Sequence, residues 1–220
     1  MIRFSDVTLR YPNGETIFED VDLTLDAGAL YFLTGCSGAG KSSFLRLLYF
    51  ALKPTSGVVT LFDKDTANLS PVERTGVHRR VGVVFQDFRL IDHLTAYENV
   101  ALPLRLAGKF PESYEQDVIE ILEWVGMGGK LKSYPSFLSG GEKQKLAIAR
   151  AVVSAPDLIL ADEPTGSIDP EMSGKIMHLF TELNKMGHTI IIATHDLKRI
   201  AGFHYPVLSI REKMIYMEGM

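Results

Sequence analysis

Short apolar runs bounded by polar punctuation recur along this chain. Ala29-Leu30-Tyr31-Phe32-Leu33-Thr34, Asp157-Leu158-Ile159-Leu160-Ala161 and Thr189-Ile190-Ile191-Ile192-Ala193 are too short for helices. They carry no polar face, which is the pattern of strands buried on both sides of a parallel sheet. Ile2 to Arg10 and Thr16 to Leu25 read as two further strands, joined by a turn at Pro12-Asn13-Gly14. Gly57 to Phe62 and Val81 to Phe85 complete the strand set. Helical spacing appears first in Lys41 to Leu52, where Phe44, Leu45, Leu47 and Leu48 are the packing positions. It dominates from Thr95 to Ser154: Thr95 to Ala107, then Glu112 to Val125 with Gly126, Gly128 and Gly129 as the stop, then Ser139 to about Val153. The outline is one α/β domain over 1–220. Residues 1–86 and 151–220 form its core and 87–150 a helical subdomain.

Composition narrows the functional classes. With 220 residues and 46% hydrophobic content, the chain buries a sizeable core. A formal charge of −4 gives no general attraction for nucleic acid. His78-Arg79-Arg80 is a local basic spot that reads as a solvated loop. The single cysteine, Cys36, excludes an intrachain disulfide and a multi-cysteine metal site, in keeping with a reducing cytoplasm. Met1-Ile2-Arg3-Phe4-Ser5-Asp6 lacks a signal-peptide core. No apolar run approaches the roughly 20 residues of a membrane-spanning helix, so any membrane role is expected to come through a partner.

The chemistry concentrates at strand ends. Gly35-Cys36-Ser37-Gly38-Ala39-Gly40-Lys41-Ser42 fits the phosphate-cradling pattern G-x-x-x-x-G-K-[ST], with a strand before it and a helix after it. The glycines let successive N–H groups turn inward on an anion at a helix N-terminus. Lys41 is expected to reach the outer phosphates of a nucleoside triphosphate and Ser42 to ligate Mg²⁺. Asp162 closes an apolar strand, where α/β sheets bind ligands, and is placed to hold that metal. Glu163, one residue on, is a candidate general base for an attacking water. Ser139-Gly140-Gly141-Glu142 opens another helix with bare glycine amides; a Ser139/Glu142 capping box explains the same residues. His195 and Gln86 end strands at the same edge. Tyr11 follows the first strand, where its ring is available to stack on a base or to pack.

Together these residues resemble the ATP-binding-cassette (ABC) ATPases over the whole chain. In that family's terms Tyr11 matches the A-loop aromatic, Gly35–Ser42 the Walker A loop, with Ser43 behind it, and Gln86 the Q-loop. Leu138–Glu142 matches the signature motif, Leu158–Asp162 Walker B, Glu163 the catalytic glutamate, Ser167-Ile168-Asp169 the D-loop and His195 the H-loop. The family implies a P-loop fold with a mixed sheet core, an N-terminal antiparallel β part and a helical subdomain. It also implies that ATP, with Mg²⁺ held by Ser42, Gln86 and Asp162, is sandwiched in a homodimer, where Ser139, Gly140, Gly141 and Asp169 complete the site of the opposite subunit. This chain departs from the common pattern at Glu142, where glutamine is usual, and at Ser167-Ile168.

A finer resemblance lies in Asp162-Glu163-Pro164-Thr165-Gly166, in Val84-Phe85-Gln86-Asp87-Phe88-Arg89-Leu90 and in Leu94-Thr95-Ala96-Tyr97-Glu98-Asn99-Val100. These are similar to the mechanotransmission ATPases, and within them to the cell-division members. That implies an integral membrane partner of the FtsX type, in two copies, and a peripheral position on the cytoplasmic face of the cell membrane. The segment Phe88–Leu106, with Leu90, Ile91, Leu94, Tyr97 and Leu102, is then expected to form much of the groove for a cytoplasmic helix of that partner. The alternatives are the ATPase of a lipoprotein-release or macrolide-type export complex, a soluble non-transport cassette protein, and a module that holds ATP without turnover. One cassette, a net negative charge, and Glu163 with His195 argue against the last two.

Overall fold

A computed structural model of the chain describes residues 2–166, 168–196, 200 and 202–218. Ser167, named above, lies outside the described residues. In chain order the strands are β1 (Ile2–Arg10), β2 (Thr16–Leu25), β3 (Leu30–Thr34), β4 (Ser56–Leu61), β5 (Lys64–Asp65), β6 (Val81–Val84), β7 (Leu158–Asp162), β8 (Thr189–Ala193), β9 (Val207–Arg211) and β10 (Met214–Glu218). The α-helices are α1 (Lys41–Leu48), α2 (Pro71–His78), α3 (Ala96–Leu106), α4 (Glu115–Trp124), α5 (Gly140–Val152) and α6 (Pro170–Lys185). The strands form an antiparallel sheet, β2-β1-β4-β5, and a six-stranded sheet, β10-β9-β3-β8-β7-β6. In the latter every pair is parallel except β9 with β10.

The apolar runs of β3, β7 and β8 serve two cores at once. Tyr31, Leu33, Leu158, Leu160, Ile191 and Ala193 face the core shared with α1 and the antiparallel sheet. Their neighbours Leu30, Phe32, Ile159, Ala161, Ile190 and Ile192 face α5 and α6 on the other side. Strict period-2 alternation with both faces apolar is why the strands read as continuous hydrophobic runs. A third cluster joins α3, α4 and α5 through Val100, Leu104, Val118, Leu122 and Leu146. Helix α5 contributes to both the second and the third cluster, through Ala147 and Ile148 to one and Leu146 and Ala149 to the other.

Helix α1 is locked to the antiparallel sheet by aromatic packing. The Phe44 ring stacks on Phe4 at 5.0 Å and meets Phe18 edge-on at 6.5 Å. The helix is shorter than its apolar spacing predicts. It ends at Leu48, because Phe50 turns left-handed (φ 63°) and Ala51 and Leu52 donate back to Arg46 O at 2.9 and 3.1 Å. The helix expected from Glu112 likewise starts only at Glu115, after a 3₁₀ turn at Pro111–Ser113. Helix α2 and the β9–β10 hairpin are additions to the expected elements. The first has a full capping box, Ser70 with Glu73, and Pro71 in its first turn. The hairpin turns at Glu212-Lys213, both with positive φ (48° and 66°), without the glycine or asparagine that usually marks such a turn.

Because Phe44 is fully buried between two rings, Phe44→Ala is expected to cost about 3–5 kcal/mol in urea unfolding. A loss under 1 kcal/mol would mean that α1 is held chiefly by something other than this packing.

Candidate active site

Strands β3, β6, β7 and β8 are parallel, so their carboxyl ends share one edge of the sheet. The chain that leaves these ends carries Gly35–Ser42, Gln86, Glu163 and His195 respectively. A cavity of about 580 Å³ opens there. It brings together Tyr11, Ser37, Gly38, Gly40, Lys41, Ser42, Ser43, Gln86, Asp162, Glu163 and His195.

The phosphate loop is built for an anion by what it leaves unsatisfied. The N-cap of α1 is Gly40, with no side-chain cap and no acidic residue in the first turn. Helices α2, α3 and α5 each start with a capping box instead. Hence the first amides of α1, which have no intrahelical partner, face the cavity with only water or a ligand to accept from them. Gly40 (φ 106°) is required twice over: a Cβ there would lie 2.7 Å from Ile17. Lys41 is buried, and its Nζ donates to Gly35 O at 2.9 Å, which holds the ammonium against the loop. Cys36 O also accepts from Lys41 Nζ at 3.4 Å, and Ala39 N donates to Cys36 O at 3.1 Å within the loop. The Cys36 side chain is exposed.

Opposite the loop stand two carboxylates. Burial pushes the Asp162 carboxyl above its ordinary value, against a hydrogen bond from Ser42 that lowers it. Ser42, Asp162 and the nearby Gln86 offer only oxygen among their strong ligand atoms, a donor set that suits a hard cation such as Mg²⁺. Glu163 sits at φ 47°, a left-handed conformation rare outside glycine, fixed by its N–H to Ala193 O at 2.9 Å. This turn aims its side chain back into the cavity, only 10% exposed. There Oε1 accepts from His195 Nδ1 at 2.8 Å and lies 3.9 Å from Lys41 Nζ. Tyr11 shares a 2.8 Å hydrogen bond with Ser43 Oγ, which ties its ring to α1 at the cavity wall.

Ser139, Gly140, Gly141 and Asp169 lie outside this cavity. Ser139 and Glu142 form the capping box, and Lys130 pairs with Glu142 Oε1. That ammonium is the chief reason the Glu142 carboxyl falls below its ordinary value. Asp169 caps α6 by accepting from Met172 N at 2.9 Å. The Met172 side chain packs so closely on Gly141 that a Cβ would meet it at 2.7 Å. The starts of α5 and α6 are therefore one packed unit.

Two residues were not singled out by the motifs. Arg150, near the end of α5, donates to Phe88 O at 2.7 Å and Arg89 O at 2.6 Å. Both carbonyls belong to left-handed residues (φ 59° and 46°) just after Gln86. Asn99, fully buried, holds the next segment by bonding Ile91 N and O and Leu94 O. The signal for Arg150 is a lone arginine amid Ala147-Ile148-Ala149 and Ala151. The segment Phe88–Leu106 divides between packed and open positions. Leu90 and Tyr97 pack inward on the helical cluster. Leu102, with Leu106 and Ala107, lines an open groove of about 660 Å³ that also includes Val83, Phe85 and Arg89.

The comparisons with known proteins agree with this geometry. The pattern of the ABC transporter family matches residues 18–166. The chain belongs to the ABC transporter family. This ABC ATPase is 39% identical to the cell division ATP-binding protein FtsE of Bacillus subtilis, covering 98% of this chain and 94% of that one. It is 40% identical to the FtsE of Escherichia coli strain K12, covering 96% of each. Among solved structures it is similar to the ATP-binding cassette MJ0796, described as a dimer in a post-hydrolysis state bound to ADP and Pi. That match has a TM-score of 0.89 at 33% identity and covers 100% of this chain and 98% of that one. The fold expectation, a mixed-sheet ABC ATPase with an antiparallel N-terminal part, therefore holds.

A carboxyl whose pKa is raised by burial weakens the folded state wherever it is ionised. That cost is present above its folded pKa and fades as pH falls through it. Asp162→Asn is accordingly expected to raise the melting temperature of the nucleotide-free ATPase at pH 7 by a few degrees, with the gain shrinking toward pH 4. A lower melting temperature at pH 7 would show that the Ser42 hydrogen bond outweighs the burial.

Proposed function

We propose that this ATPase is the nucleotide-driven subunit of a membrane complex in bacterial cell division. It would act with an integral membrane partner of the FtsX type, two copies to a dimer, to pass conformational change across the membrane and control peptidoglycan hydrolysis. One observation carries the chemistry: Glu163, Lys41 and the uncapped start of α1 meet in one cavity. The cell-division name of relatives near 40% identity over almost their full length favours this assignment over lipoprotein release or export.

In this reading the loop amides and Lys41 offset the charge of the triphosphate, and Tyr11 stacks on adenine. Ser42, Asp162 and Gln86 hold Mg²⁺, which when bound polarises the phosphoryl oxygens and offsets developing charge. Glu163 takes the proton of the attacking water. His195 Nδ1 is the donor to Glu163, since a carboxylate only accepts. This bond orients the base while the ring stays open enough, 63% exposed, to turn toward the γ-phosphate. Ser139, Gly140, Gly141 and Asp169 act in trans, so that ATP closes a homodimer and hydrolysis opens it. Residues 87–150 move as a subdomain against the rest. Among the described residues no helix is long and apolar enough to cross a membrane. In this reading the chain sits peripherally on the cytoplasmic face of the cell membrane through its partner, whose cytoplasmic helix seats in the groove between α3 and β6.

Glu163→Gln is expected to bind ATP normally, to slow hydrolysis by about 10²–10⁴-fold, and to accumulate as a dimer in size-exclusion chromatography with ATP. Full turnover by this variant would remove Glu163 from the role of base. Lys41→Ala is expected to lose ATP binding in equilibrium dialysis. For the partner, affinity purification from detergent-solubilised membranes should recover a multi-span membrane protein, and recovery should fall with Leu102→Asp. Unchanged recovery would place the docking site elsewhere.

A further inference from the structure

The groove between α3 and β6 has an unusual charge for this protein. The chain carries −4 overall, yet every ionisable side chain lining the groove is basic: His78, Arg79, Arg89, Lys109 and Arg150. Its floor is apolar, with Val83, Phe85, Leu102, Leu106 and Pro156.

The basic groups divide by what already engages them. Arg89 is balanced by Asp87 at 3.2 Å and lies over the Phe85 ring. Arg150 is committed to the Phe88 and Arg89 carbonyls. His78 is packed edge-on against Phe50, and burial lowers its pKa, so at neutral pH it offers a hydrogen bond rather than a charge. Arg79 and Lys109 are exposed, and neither forms an ion pair among the described residues. They come from two separate elements, Arg79 at the end of α2 and Lys109 just past the end of α3. The carboxyl ends of those two helices bring about half a negative charge each. Arg79, Lys109 and Arg150 together exceed that, so the groove stays cationic. The nearby carboxylate Asp157 is taken by Arg80 at 2.7 Å and does not line the groove.

We propose that the groove accepts an acidic amphipathic helix. Its apolar face would lie on Val83, Phe85, Leu102 and Leu106, and carboxylates at its two flanks would meet Arg79 and Lys109. This rests on the reading that the membrane partner docks here, and adds the chemistry of the docking element. An apolar groove with unpaired cations contributed by two different helix ends matches a helix with an apolar stripe and charged flanks. Part of its selectivity is repulsive: a basic helix would bring like charges against Arg79 and Lys109. The fixed position of the Phe85–Arg89 segment, clamped by Arg150, means that the occupant rests directly on the turn that follows Gln86.

The test uses the full chain and three fluorescent amphipathic peptides with one leucine face, flanked by Glu, Gln or Lys. Fluorescence anisotropy at low salt should show the Glu peptide binding at least about tenfold tighter than the Lys peptide, as expected when two attractions replace two repulsions. The preference should collapse at 0.5 M salt. An Arg79→Glu/Lys109→Glu variant, checked for unchanged melting temperature, should reverse the order. Equal binding of the three peptides, or binding of none, overturns the acidic occupant. So does binding of vesicles rich in anionic lipid that the Glu peptide fails to displace, which would assign the cations to a membrane surface. These outcomes are separate from failure of the docking reading, which would appear as undiminished partner recovery with Leu102→Asp.

Discussion

Everything at the candidate site follows from a helix that begins with neither a side-chain cap nor an acidic first turn, where α4, also uncapped, carries Glu115 and Asp117. Helix α1 has Gly40 where α2, α3 and α5 have Ser70, Thr95 and Ser139, and it lacks the glutamate that closes each of those capping boxes. Its first amides are left to a ligand, and the helix dipole makes that ligand an anion. An incomplete helix start must be held by other means, and here the means is Phe44 between Phe4 and Phe18. The antiparallel sheet thus keeps the phosphate loop in shape when no ligand is present. Lys41, bonded to Gly35 O, supplies the cation that makes the loop tolerable beside Glu163.

A second device is the two-ended use of α5. Its amino end is packed through Gly141 on Met172 of α6, and its carboxyl end reaches through Arg150 to the turn after Gln86. Between them the helix contributes to two hydrophobic clusters. A rigid helix so anchored cannot shift at one end without loading the other, because packed interiors transmit displacement. Any movement of its start is therefore felt at the segment carrying Phe85 and Arg89, which is one wall of the groove.

Much of this was legible in the sequence for local reasons. Strands β3, β7 and β8 are apolar on both faces, so their runs need no context to be read. Asp162 closes β7, Glu163 and His195 follow just beyond β7 and β8, and Lys41 and Ser42 end the loop that leaves β3, so parallel pairing alone brings them to one edge. The β9–β10 hairpin was not legible, because Glu212-Lys213 takes left-handed backbone without a turn residue. Nor was the early end of α1, which depends on one torsion at Phe50. Arg150 was hidden for a different reason. Its partners are backbone carbonyls more than sixty positions away, and carbonyls leave no trace in residue identity. Which of the expected groove residues stay open was not legible, because both faces of α3 are apolar and only packing decides that Tyr97 goes inward while Leu102 and Leu106 stay open.

The charges of the site and the groove follow opposite logic. In the site, two carboxylates stand against one buried lysine, and burial already raises Asp162 toward its neutral form. That arrangement carries a desolvation cost, partly offset by the Ser42 hydrogen bond and by Lys41 and Arg46. The groove inverts this: its unpaired cations, Arg79 and Lys109, are exposed, hydrated and cheap to leave unpaired, so they set which partner fits without straining the free protein. Their contribution is selection at the moment of contact, while the force that seats a helix comes from the apolar floor. A site short of charge and a selective groove meet at Gln86 to Arg89, the one segment among the described residues that borders both.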